Sequence, residues 1–130
     1  MQLRYVALAL LMTLPACAAR RPHSNAPSVP PSSDPREQHV LDETARFAAI
    51  LGVNVRGVLT DHVYNVRCSD GSMCPAAGWY ADGKAYYWLP AILSHDDAYG
   101  TALAAHEVAH SLFHDDAEAD TCASDLLTLQ

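Results

Sequence analysis

Five consecutive residues, His106-Glu107-Val108-Ala109-His110, carry the side chains best suited to metal chemistry in this chain of 130 residues. On an α-helix, residues four apart lie on one face, one turn apart, so both imidazoles can reach a single Zn²⁺ ion. Glu107 lies beside them and can take a proton from a water at such an ion. We therefore expect His106 and His110 to be zinc ligands and Glu107 to be the catalytic base.

The residues around this motif predict the helix that must position it. Residues 98–113 are rich in Ala and Leu and contain no Pro, which favours an α-helix over the whole span. Small and apolar residues surround the histidines, as expected of a helix that is buried over most of its circumference. The alternative interpretation is a helix with two solvent-facing histidines and an acid between them.

Two histidines do not complete a catalytic zinc site, which usually has three protein ligands and an open position. His114 lies eight residues after His106, about 12 Å along a continuous helix, so one ion cannot bind both unless the helix breaks. Carboxylates follow in residues 115–120. If the chain reverses there into a second helix, geometry favours Glu118, which has the longer reach, or Asp120 as third ligand.

The motif together with Ala117–Leu127 resembles the core of gluzincin-type peptidases, including the minimal ImmA/IrrE-like and M48-like domains. In these, a second helix carries E-x-x-A-[DN]-x-x-A, whose Glu is the third ligand and whose acid or amide orients a histidine. Asp120 matches the second position, and the Glu position falls on Asp116, a shorter carboxylate. The resemblance thus implies Asp116 as ligand and Asp120 as the partner of a histidine, so Asp116 and Glu118 remain alternatives. Either acid could instead be a solvated charge at a helix start.

The resemblance also implies a function, a zinc metalloendopeptidase that acts on peptides or proteins. Zinc would polarise the scissile carbonyl, and Glu107 would move a proton from water to the leaving amine. Four residues are candidate donors to the developing oxyanion: Tyr80, His95, Tyr99 and His114. The hairpin of residues 79–89 could offer an edge strand to the substrate.

Other interpretations of the motif remain open. The metzincin pattern H-E-x-x-H-x-x-G-x-x-[HD] also reaches Asp116, but Phe113 stands where that pattern needs Gly. A degraded third ligand would favour a non-catalytic lipoprotein that binds metal or a protein partner on the same scaffold. An accessory factor from a mobile element, without hydrolysis, is a further possibility.

The N-terminus predicts export. Arg4 and the apolar stretch Tyr5–Leu14 are typical of a signal peptide over residues 1–16. Residues 14–17, Leu-Pro-Ala-Cys, resemble a bacterial lipobox, which predicts that Cys17 is lipidated and anchors the protein to a membrane of the cell envelope. Ordinary cleavage after small residues, giving a secreted or periplasmic protein, is the alternative.

Composition separates a tether from a folded domain. Residues 18–35 contain five of the eight prolines, which predicts that residues 17–35 form a flexible tether and residues 36–130 the domain. The net charge is −7, and no Lys or Arg follows Lys84, which excludes a basic nucleic-acid-binding face. Export permits disulfides, so we expect a Cys68–Cys74 bridge and leave the state of Cys122 open.

The hydrophobic pattern predicts an α+β fold, which the resemblance makes a small zincin-like domain. Apolar residues at helical spacing indicate a first helix over residues 36–51, ended by Gly52. β-branched residues predict strands over 53–60 and 62–67, and Asp82-Gly83 predicts a tight hairpin between two further strands. The expected order is a helix, a short antiparallel sheet, the motif helix and a C-terminal helix.

Overall fold

In the computed structural model of the protein, which describes residues 26–129, one helix is followed by five strands and three helices. The helices are α1 (Pro35–Leu51), α2 (Leu89–Leu93), α3 (Asp97–Ala109) and α4 (Asp116–Leu127). The strands are β1 (Arg56–Thr60), β2 (Asn65–Arg67), β3 (Met73–Pro75), β4 (Gly78–Ala81) and β5 (Lys84–Trp88). The predicted α+β class is confirmed. The predicted signal peptide, Cys17 and the tether up to residue 25 lie outside the described residues.

The main sheet has three strands in the order β1-β5-β4. The hairpin between β4 and β5 is confirmed, and Asp82 and Gly83 both have the positive φ that such two-residue turns require. The expectation of a wholly antiparallel sheet is wrong, because β1 runs parallel to β5. The chain first reaches the far edge as β4 and returns as the central strand β5, so that β1 and β5 point the same way.

Strands β2 and β3 form a separate antiparallel pair, which we call the arm (residues 61–75). A disulfide joins Cys68 to Cys74 across the arm. The ring of Tyr64 packs 5.4 Å from that of Trp79, measured between ring centroids, and so attaches the arm to one face of the main sheet. The strand expected over residues 62–67 is therefore shorter and belongs to this arm.

Each face of the main sheet has its own hydrophobic core. The helix-side core is made by α1, α3, α4 and alternate residues of β1 and β5, which include Leu59 and Tyr87. On the opposite face, Val58, Trp79 and Tyr86 pack against the arm and against Ala26. Because strand residues alternate between faces, both cores follow from the same strands. The sheet thus forms the middle layer of the domain, with α3 on the helix side.

Helix α1 begins where the predicted domain begins. Asp34 caps it by accepting from the Arg36 N–H, and Gly52 ends it with φ 67°. The segment before α1 lies on the domain, since the Val29 N–H donates to the Leu59 carbonyl oxygen at 2.8 Å. Among the described residues, no helix combines the length and the apolarity needed to cross a membrane.

Helix α3 is capped by the Asp96 carboxylate, which accepts from the Tyr99 N–H, and it ends at Ala109, four residues before the predicted end. The chain then turns through residues 110–115, and Asp115 caps α4 by accepting from two backbone N–H groups. This early end brings the first turn of α4 next to the last turn of α3, where the motif histidines lie.

Candidate metal centre

The two motif histidines face each other across one turn of α3. Their Nε2 atoms are 3.0 Å apart and the ring planes are nearly perpendicular, at 88°. The side chain of His106 is 22 % exposed and that of His110 is 14 % exposed, so both lie at the surface of the helix without being free in solvent. The pair can therefore present both Nε2 atoms to one ligand.

The opposite nitrogen of each ring has a fixed partner. His106 Nδ1 lies 2.7 Å from Asp120 Oδ1, and His110 Nδ1 lies 2.8 Å from the Phe113 carbonyl oxygen. A carbonyl oxygen can only accept, so His110 donates through Nδ1, and burial lowers the pKa of its ring and favours the neutral form. In the neutral His110 ring Nδ1 therefore carries the hydrogen and Nε2 keeps its lone pair, and the Asp120 carboxylate favours the same tautomer of His106. Asp120 thus contacts a histidine as the resemblance implied.

Asp116, and not Glu118, lies against the histidine pair. Asp116 Oδ1 is 3.0 Å from His110 Nε2 and 3.4 Å from His106 Nε2. The Glu118 carboxylate makes no hydrogen bond or ion pair within residues 26–129. The reason is rotation, because Glu118 is two residues further, about 200° round the helix, whereas Asp120 returns to the face of Asp116. The third ligand stays a prediction, and its geometry now favours Asp116.

Three atoms that can each bind a metal ion therefore converge: two imidazole nitrogens and one carboxylate oxygen. Their lone pairs repel one another unless a hydrogen or a metal ion lies between them. Their separations of 3.0, 3.0 and 3.4 Å can be compared with a tetrahedral ion. Ligands at the usual zinc distances would be about 3.3 Å apart. The donor set and its spacing thus fit a tetrahedral divalent metal ion.

Glu107 completes a group able to hold a metal ion. The ligand atoms of His106, Glu107 and His110 all lie within 4.8 Å of one another. Glu107 is only 4 % exposed and has no hydrogen bond or ion pair within the described chain. Burial, followed by the charges of Asp116 and Asp120, raises the pKa of the Glu107 carboxyl to about 8. A group with this pKa near neutrality is suited to exchange protons.

Close approach of the sheet buries Glu107. A Cβ atom at Gly78, the first residue of β4, would lie 3.2 Å from Glu107 Cγ and Oε2 and 2.9 Å from the Tyr86 carbonyl oxygen. Only glycine therefore allows β4 to pack on this side chain. Sequence reasoning missed Gly78 and the Phe113 carbonyl group. A glycine at a strand end is a weak signal of close approach, whereas nothing in a sequence marks a particular backbone carbonyl.

The four candidate oxyanion donors are dispersed. Tyr80 accepts from the Gly83 N–H at the hairpin, and His114 is exposed in the turn after α3. Tyr99 stacks on His95, with ring centroids 3.8 Å apart, near the start of α3. Burial raises the pKa of Tyr99, and the charge of Glu107 raises it further.

Comparison of this chain with protein-family models, with curated proteins and with solved structures finds no match.

Proposed function

We propose that the protein is a zinc metallopeptidase of the gluzincin type, with Asp116 in the place of the third-ligand glutamate. The observation that carries the proposal is the convergence of His106 Nε2, His110 Nε2 and Asp116 Oδ1 beside the buried, unpartnered Glu107. Three protein ligands with an open fourth position are typical of catalytic zinc, whereas structural zinc usually has four.

The chain's own residues divide the work. His106 and His110 are held as ligands by Asp120 and the Phe113 carbonyl, which fix their tautomers. When bound, zinc supplies Lewis acidity, which polarises the scissile carbonyl and acidifies water. Glu107 accepts a proton from the attacking water and delivers it to the leaving amine, a double role for which a pKa near neutrality is favourable.

The sheet edge supports a peptide as the substrate. Strand β4 lies at the end of the order β1-β5-β4, and its first residue, Gly78, contacts Glu107. An extended peptide that adds to such an edge by main-chain hydrogen bonds would run past the catalytic base. Main-chain recognition of this kind does not depend on one particular side chain.

The proposal is tested on the purified full-length chain. Zinc content is measured by mass spectrometry and hydrolysis is measured on an unfolded protein substrate. We expect one zinc per chain and hydrolysis that is lost in Glu107→Gln, with Glu118→Gln as the matched control that keeps both. Zinc without turnover on a peptide library would favour the non-catalytic binding protein, and the absence of bound zinc would reject both metal-binding interpretations.

We also propose export and attachment to a membrane of the bacterial cell envelope through a lipid on Cys17. The pattern of residues 1–17 supports this location. Membrane fractionation tests it, because Cys17→Ala should move the protein to the soluble fraction. If the variant protein stays in the membrane fraction, the lipid anchor is contradicted. The cleavage site of the mature protein would then test the secreted or periplasmic alternative.

A further inference from the structure

The helix face that carries the metal ligands presents Tyr99, Leu103 and His106 of α3 together with His110, which follows its last residue. We call this face and the space above it the α3 cleft. Glu107 and Gly78 of β4 lie on one side of the cleft, and Asp116 and Asp120 of α4 lie on the other. Spacings of three, four and seven residues place side chains on one helix face. The cleft therefore extends from the metal centre to the first turn of α3.

Negative charge lies at both ends of the α3 cleft. Asp96 and Asp97 are exposed at the start of α3, and Asp116 and Asp120 lie at the metal end with side chains 85 % and 71 % exposed. Residues 85–130 contain no Lys or Arg. A divalent ion would be balanced by Asp116 and Asp120 alone, so the cleft stays negative with metal bound.

Arg36 is the basic residue that reaches the start of α3. Its guanidinium donates to the Leu93 carbonyl oxygen at 2.7 Å, and it pairs with Asp34, also at 2.7 Å. Asp34 balances this charge, so that Asp96 and Asp97 together still leave a negative surface. Arg36 thus holds the loop before α3 in place but does not neutralise the negative charge of the cleft.

An ordered aromatic surface lies at the same end. The rings of His95 and Tyr99 stack with an interplanar angle of 15°. His95 Nδ1 is 2.8 Å from the Ala91 carbonyl oxygen, and Asp96 Oδ1 accepts from the Tyr99 N–H at 3.0 Å. An aromatic ring next to a carboxylate is the combination that binds an ammonium or guanidinium group.

A second observation at the cleft is a largely buried carboxyl group that a ligand could contact. Glu107 is 4 % exposed, has no hydrogen-bond partner within residues 26–129, and points towards the ligand atoms of His106 and His110. Burying an unpartnered carboxyl costs free energy unless a ligand completes its contacts. The cleft therefore reaches a carboxyl group whose hydrogen bonds no other described residue completes.

We propose that the α3 cleft selects cationic peptides, with Tyr99 and Asp96 contacting a Lys or Arg side chain of the substrate. This deepens the proposed function and rests on it. Tyr99 precedes His106 by seven residues, about 10.5 Å along the helix, which is about three residues of an extended peptide. The basic side chain thus lies about three positions from the peptide bond at the metal.

Binding tests the inference apart from hydrolysis. Full-length Glu107→Gln protein with zinc is titrated with two fluorescent peptides that differ only in Lys or its uncharged isostere norleucine. We expect the Lys peptide to bind about tenfold tighter at low salt, with a preference that shrinks as ionic strength rises. Asp96→Asn, which keeps a capping residue, and Tyr99→Leu should each reduce the preference. Asp125→Asn, about 180° round α4 from Asp116, should not.

Each outcome bears on one proposal. Equal binding of the two peptides would overturn the cationic preference, as would a preference that Asp125→Asn removes and Asp96→Asn leaves intact. If Tyr99→Leu lowers the melting temperature, Tyr99→Phe, which keeps the ring, should restore both stability and preference. If the Lys peptide binds more tightly but the wild-type chain hydrolyses no peptide, the peptidase proposal is rejected and the cationic preference stands. If the chain hydrolyses both peptides equally well, the peptidase proposal stands and the cationic preference is rejected.

Discussion

Helix α3 carries a polar network on each of two faces, and the two networks differ in how donors and acceptors are matched. On the α1 side, His39 donates to Thr101 at 2.8 Å, Thr101 donates to Glu43 at 3.0 Å, and Arg46 donates to the same carboxylate. The Arg46 hydrogen bond holds the pKa of Glu43 below its usual range. Every acceptor in this Thr101 network has a donor within the protein.

The network on the α4 side is arranged differently. His106 Nδ1 and His110 Nδ1 have acceptors, and on the other side of the rings His106 Nε2, His110 Nε2 and Asp116 Oδ1 converge at 3.0–3.4 Å. The contrast shows how a site can be distinguished from a structural network. Polar groups that satisfy one another stabilise the fold, whereas metal-binding atoms that converge on one point can also hold a metal ion.

The largest expected effect concerns the charge of Glu107 in the metal-free protein. Because its pKa is raised to about 8, the folded state binds this proton more tightly than the unfolded chain does. Stability should therefore fall as pH rises from about 4.5 to about 8, by up to about 5 kcal/mol. Denaturant unfolding at several pH values measures this. Glu107→Gln should remove this pH dependence of the unfolding free energy, and Glu118→Gln should keep it. A changed pH dependence in Glu118→Gln would contradict its assignment to Glu107.

Zinc should stabilise the chain through one network only. At free zinc about 1,000 times the dissociation constant, the gain is about 4 kcal/mol, on the order of 20 °C in melting temperature for a domain of this size. Thr101→Val, which breaks the matched network, should cost about 1 kcal/mol and keep the full zinc shift. If Thr101→Val abolished the zinc-dependent rise in melting temperature, zinc would have to bind at the Thr101 network and not at the histidine pair.

Asp116→Asn and Glu118→Gln separate the two candidate ligands. Asp116→Asn removes a carboxylate oxygen that faces both Nε2 atoms, and we expect it to weaken zinc binding by about two orders of magnitude or more. Groups that only orient a ligand typically contribute about 10–100-fold. Glu118→Gln should bind zinc as the wild type does. Competition with a chromogenic chelator measures both affinities, and equal affinity in the two variants would reject Asp116 as ligand.

Asp120→Asn should have the smallest effect on the metal centre. Its carboxylate orients His106 through Nδ1, and loss of such an orienting charge typically lowers zinc affinity about 10–100-fold. The amide oxygen can still accept, so the effect should fall near the lower end of that range. If Asp120→Asn lowered zinc affinity more than Asp116→Asn does, Asp120 would be the ligand and Asp116 the orienting group.

Much of the fold follows from local pattern. The turn at Asp82-Gly83 requires positive φ at both positions, and the sequence offers residues that tolerate it. The predicted helix over residues 36–51 forms as α1, but the face it buries carries Val40, Thr44, Phe47 and Ala48, whereas Ala45 of the expected stripe is exposed. The parallel pairing of β1 with β5 could not be predicted, because it depends on the path of the arm and of β4 between them.

The sequence by itself determined that His106 and His110 lie one turn apart on a helix with Glu107 beside them, because helical periodicity is local. Only the tertiary structure decided which acid meets them. Helix α3 ends at Ala109 and α4 begins at Asp116, so the first turn of α4 lies level with the histidines. The position of a helix end and the rotation of the next helix depend on packing against the sheet and on backbone groups such as the Phe113 carbonyl. Because α3 ends four residues earlier than predicted, a different carboxylate faces the histidines.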